Sequence, residues 1–197
     1  MVIHLGLLLL WLAGVWTAAG ESPFIVVFID SKTEETVGPF PLNRSVLAKG
    51  IQQLKRDRAR GVVLKFFFDQ PKDAGDDAAL AEAIAGLPVL LQARLDDAEP
   101  KPNPFPERFV LKTTPAADPS GLAGRSGWIP LPCFSARARD IGFVDLTRPD
   151  CVPVVEFYRG RAVKSLSLCA LELALNEQAH VVPGRSFRLH GLHLRHR

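Results

Sequence analysis

The side chains best placed to do chemistry are Asp30, Arg44, Asp69 and Asp145, with Lys65 inside the same pattern. Each of the three acids ends or follows an apolar run: Phe28-Ile29-Asp30, Phe67-Phe68-Asp69 and Phe143-Val144-Asp145. Short apolar runs rich in β-branched and aromatic residues read as strands buried on both faces. In open α/β sheets, ligands bind beyond the carboxyl ends of such strands. Carboxylates accept hydrogen bonds and a guanidinium donates them in a fork, so an acid–arginine set there suits a polar ligand. Lys65 joins the set if its side chain reaches the rim. A local reading stands beside this one. Asp30 can cap the element that follows it, or pair with Arg44 to fix a turn.

Other chemistry finds less support. Histidine occurs at 4, 180, 190, 193 and 196. The run His190-x-x-His193-x-x-His196 could hold a metal, but its neighbours Arg185, Arg188, Arg195 and Arg197 favour a basic tail. No Gly-x-Ser-x-Gly elbow marks a nucleophile, and no glycine-rich phosphate loop is present. The pairs Asp76-Asp77 and Asp96-Asp97 read as helix caps or solvated acids. An enzymatic reading therefore ranks last. No catalytic residue, metal or cofactor is expected. The net charge of +3 comes without a basic stripe interleaved with aromatics, which argues against nucleic acid. Of the three cysteines, Cys133 and Cys151 lie in loop-like sequence and could form a disulfide. Cys169 falls in an apolar helical pattern and reads as a buried small hydrophobe.

The elements that must position these groups alternate in type. Residues 5–19 are apolar, small residues follow, and the first charge is Glu21. That layout predicts a signal peptide over 1–20, or an N-terminal membrane anchor if it is not cut. Either way the remainder is expected outside the cytoplasm, periplasmic or extracellular. Residues 24–30 read as a central strand, 31–37 as a polar loop, and a helix follows from Asn43 or Ser45 to about Gly61. Residues 62–68 and 87–92 read as two more strands, with a helix over 76–84 between them. Residues 96–106 and 115–127 read as loops, rich in proline or in small residues. Residues 109–112 suggest a short strand. Residues 141–145 and 152–158 suggest a strand pair around Arg148-Pro149-Asp150. A helix over 165–177 and a last strand over 186–190 complete the chain. The order predicts an α/β fold with a central, mostly parallel or mixed sheet flanked by helices. A single domain is expected over 21–191, with a basic tail over 192–197.

Several short motifs recur in a known order. They are Phe28-Ile29-Asp30 with Gly38-Pro39-Phe40-Pro41 and Arg44, then Phe68-Asp69-Gln70-Pro71, and Asp76-Asp77-Ala78-Ala79-Leu80. Gly142-Phe143-Val144-Asp145, Asp150-Cys151-Val152-Pro153 and Ser165-Leu166 through Ala170-Leu171 follow. Together they resemble the CHASE2 domain, an extracytoplasmic sensor module of bacterial receptors. Two positions depart from the family pattern: Lys65 stands where an acid is usual, and Asp150-Cys151 where Asp-Gly is common. The resemblance implies a sensory, ligand-binding module. The family usually continues into membrane helices and a cytoplasmic enzyme, so a free-standing version without its own output domain is expected here. Its partner would be a small ligand or a membrane signalling protein. The alternative is a ligand-free interaction subunit that acts on a membrane receptor in trans.

Overall fold

The computed structural model describes residues 23–95, 105–112, 128–144, 153–158, 161–182 and 186–195. Its centre is a parallel sheet of β1 (Val62–Leu64), β2 (Val89–Ala93) and β3 (Asp140–Phe143), in the order β1-β2-β3. All five residues of β2 are buried. The cause is that the strand has helices on both faces. Val89, Leu91 and Ala93 point into the main core, with Ala48, Ile51, Leu80 and Ile84. Leu90 points the other way, to Leu166 and Cys169.

The first face is covered by α2 (Arg44–Arg56) and α3 (Ala74–Ala85), which pack on each other. Asn43 caps α2, its side-chain Oδ1 accepting from the Ser45 N–H at 2.8 Å. Asp73 caps α3, accepting from the Asp76 N–H at 3.0 Å. The opposite face is covered by α5 (Leu166–Leu175), capped by Ser165, whose Oγ accepts from the Leu168 N–H at 3.1 Å. Asn176 ends α5 in the left-handed region at φ 51°, which lets the last carbonyls find N–H partners. A short helix α4 (Pro132–Ser135) precedes β3. The hairpin β4 (Val155–Tyr158) and β5 (Arg161–Lys164) leads into α5. A final antiparallel sheet is made of β6 (His180–Val182), β7 (Ser186–Leu189) and β8 (Leu192–Arg195), so the segment read as a tail contributes a strand.

The α/β architecture follows the sequence reading, and several local assignments do not. Residues 24–30 form no strand, and Ile25 is 92% exposed. Apolarity and β-branching report that a segment can pair, not that a sheet edge receives it. Residues 31–37 are not a loop but helix α1 (Ser31–Val37), started by a reciprocal cap between Asp30 and Thr33. Finally, β3 pairs in parallel with β2, and residues 155–158 pair instead with β5. Similarly, residues 107–109 form a 3-10 turn, and only Val110 bridges to Val163.

Gly142 sets the distance between sheet and α5. A Cβ there would sit 2.3 Å from both the N and the Cα of Leu166, and 2.6 Å from the Ser165 carbonyl carbon. These are backbone atoms, and they cannot swing aside as a side-chain tip would. Gly142→Ala is therefore expected to lose about 1–3 kcal/mol of stability. Urea unfolding should show a lower midpoint at unchanged slope.

Candidate ligand site

The strand-end residues fall into separate local roles. Asp30 is exposed and caps α1: its Oδ1 accepts from the Thr33 N–H at 3.0 Å and from the Thr33 hydroxyl at 2.9 Å. Those two bonds hold its carboxyl below the ordinary value. Arg44 is 4% exposed and pairs with Asp77, not Asp30. Its other terminal nitrogen donates to the Gln70 carbonyl. The guanidinium also lies 4.9 Å from the Phe134 ring centroid and 5.7 Å from that of Phe68. Asp77 in turn accepts from the Lys72 N–H at 3.1 Å. Arg44 thus stitches the start of α2 to the turn that leads into α3.

Asp69 is half-buried beside that turn and accepts from the Gln70 side-chain amide at 3.1 Å. Lys65 is exposed just after β1. Asp145 and Cys151 lie outside the described residues. Cys133 is exposed and Cys169 buried. The structure brings Arg44 to the segment next to Asp69. It records no bond from Arg44 to Asp30 or Lys65.

A second charged cluster lies at the opposite, amino edge of the sheet. Asp140 opens β3, Lys164 closes β5, and Glu172 lies on α5. The Lys164 ammonium donates to Asp140 Oδ2 and, at 2.7 Å, to Glu172 Oε2. Asp140 Oδ1 accepts from the Ile141 N–H at 2.8 Å, and Glu172 Oε1 from the Ala179 N–H at 2.8 Å. All three side chains are close to dry, at 11%, 15% and 10% exposure.

Burial disfavours the Lys164 ammonium, but the charges and hydrogen bonds around it outweigh that and raise its pKa. Burial and the two nearby carboxylates push the Cys169 thiol up, so it stays neutral and is a poor nucleophile.

These groups border a cleft of about 470 Å³, lined also by Arg108, Lys112, Arg139 and Glu177. The signals for it are faint in sequence. Lys164 is a lone charge between Ala162-Val163 and Ser165-Leu166. Glu172 falls three residues after Cys169, on the buried side of α5.

The chain matches the family model of the CHASE2 domain over residues 6–194, nearly its whole length, and belongs to that family. CHASE2 is a family of extracytoplasmic sensory domains. No curated protein and no solved structure matches the chain. Among the described residues, no helix is long and apolar enough to cross a membrane, and no group of His, Cys, Asp and Glu has the arrangement of a metal site.

Two outcomes separate the clusters. Arg44→Ala leaves Asp77 without its cation in a nearly dry site and is expected to cost about 3–5 kcal/mol in urea unfolding. Lys65→Ala, at an exposed position, should stay within about 0.5 kcal/mol of the parent. The Lys164 triad carries a pH signature. Its folded pKa lies above the ordinary lysine value of 10.5, so its stabilisation is complete below that value and is lost only as pH rises through the folded one. The stability gap between the parent and Lys164→Met should therefore stay constant from about pH 7 to 10 and close only in stronger alkali. A gap that closes near neutrality would contradict the triad.

Proposed function

We propose that this chain is an extracytoplasmic sensory module that binds a small polar ligand in the amino-edge cleft. The apolar run over 5–19 would direct its export or tether it. The observation that carries the reading is the cleft itself. It has a floor of three nearly dry charged side chains and a rim of further charges, inside a domain of a sensory family. A buried ion triad adds little net stability by itself, so a binding role accounts for it better than stability does. The strand-end set supports a site less well, because Arg44 is already committed to Asp77 and Gln70. The neutral Cys169 gives the cleft no activated nucleophile, which favours binding over catalysis.

A second reading draws on residues 24–28, five consecutive exposed apolar side chains. Such a patch suits docking on a membrane signalling protein. Co-purification of that protein, abolished by Val26→Asp, would favour it.

The cleft reading is tested by native mass spectrometry of protein purified from the exported fraction, compared with Leu111→Trp. Leu111 lines the cleft and is half-buried, so the larger ring fills the space. A small molecule retained by the parent and lost in the variant is expected. An adduct that persists in Leu111→Trp would overturn the assignment, as would a parent that retains nothing and gains no thermal stability from the extract.

A further inference from the structure

The charges around the cleft are not equally committed. The acids are. Asp140 and Glu172 share Lys164 and each takes a backbone N–H as well. Glu177 accepts from the His190 N–H at 3.1 Å and faces the His190 ring at 3.2 Å. The cations are different. Arg108 spends its donors on the carbonyls of Ser135 and Ala138, which are neutral, so its charge has no counter-charge. Arg139 and Lys112 are exposed and enter no ion pair among the described residues. Lys164 has three N–H donors and uses two on its acids. The lining thus sets the cations Arg108, Lys112, Arg139 and Lys164 against the acids Asp140, Glu172 and Glu177, a small positive excess that a concave site focuses near Arg139 and Lys112. Part of its wall is apolar, from Leu90, Phe109 and Leu173.

We propose that the cleft takes a small organic anion, its carboxylate held by Arg139 and Lys112 and its carbon skeleton laid on the wall of Leu90, Phe109 and Leu173. The proposal rests on the cleft reading above and names the ligand class. An arginine fork matches a carboxylate with two parallel hydrogen bonds, and Lys112 adds a point charge.

The test is titration of the full chain, ¹⁵N-labelled, with succinate, inorganic phosphate and putrescine, read at the amides of residues 108–112 and 139–140. Succinate should shift these resonances saturably. Arg139→Glu should weaken that binding at least tenfold with an unchanged urea midpoint, because the residue is exposed. Succinate binding of equal strength in Arg139→Glu would overturn the proposal. Shifts with phosphate alone would reassign the cleft to an inorganic anion and overturn the organic part. Shifts with putrescine but not succinate would overturn the charge argument. Silence from all three probes overturns the anion class. In that case an adduct that Leu111→Trp releases leaves the cleft reading standing, and one that it keeps removes both.

Discussion

One ammonium between two carboxylates, nearly out of water, ties together three parts of this chain that are distant in sequence. Lys164 closes the β4–β5 hairpin, Asp140 opens the last parallel strand, and Glu172 belongs to the helix on the sheet's far face. Removing Lys164 would leave two carboxylates without their cation in a nearly dry site, which is far costlier than the intact set is stabilising. The triad therefore acts as a constraint on arrangement. It fixes where β5 ends against β3, and so where α5 begins. The parallel bridge between Phe143 and Ser165 and the bare backbone of Gly142 against Leu166 hold the same junction from the carboxyl side. Polar and steric devices thus pin both ends of one helix–sheet contact.

The two charged clusters show how similar residue types serve different ends. Arg44 is 4% exposed, held by Asp77 and the Gln70 carbonyl under the rings of Phe68 and Phe134, so a ligand has little access to it. At the amino edge the bookkeeping differs. Asp140 and Glu172 share Lys164, while among the described residues Arg108, Lys112 and Arg139 pair with no carboxylate. A ligand site is recognised by what is left over after internal pairing, not by how many charged residues gather there.

That distinction explains which parts of the structure were legible in sequence. The starts of α2 and α5 were clear, because Asn43 and Ser165 announce themselves by their own chemistry within three residues, whereas the start of α1 at Asp30 was not. The β2 strand was clear because burial on both faces leaves it apolar at every position but Gln92. The strand-end site was read from the general rule for α/β sheets, and that rule has no means of knowing that Asp77, 33 residues away, would claim Arg44. The amino-edge triad joins positions 140, 164 and 172 through a hairpin and a helix. Local spacing links Glu172 to Cys169, but only the tertiary arrangement brings Asp140 beside Lys164.

Residues 24–28 are the reverse case, in which sequence signal and structure part. Their pattern is that of a buried strand, yet Val26, Val27 and Phe28 are 68–79% exposed. The parallel sheet stops at β1, and no described strand lies along its other edge. An exposed apolar segment is disfavoured by water, and burial of each such side chain stabilises by about 1.5–3 kcal/mol. The same physics that buries β2 therefore acts on this segment too. Whatever covers it must come from outside the contacts described here. Among the described residues Ile25, Val26, Val27 and Phe28 thus stand exposed, apart from the amino-edge cleft that β3, β5 and α5 help to form.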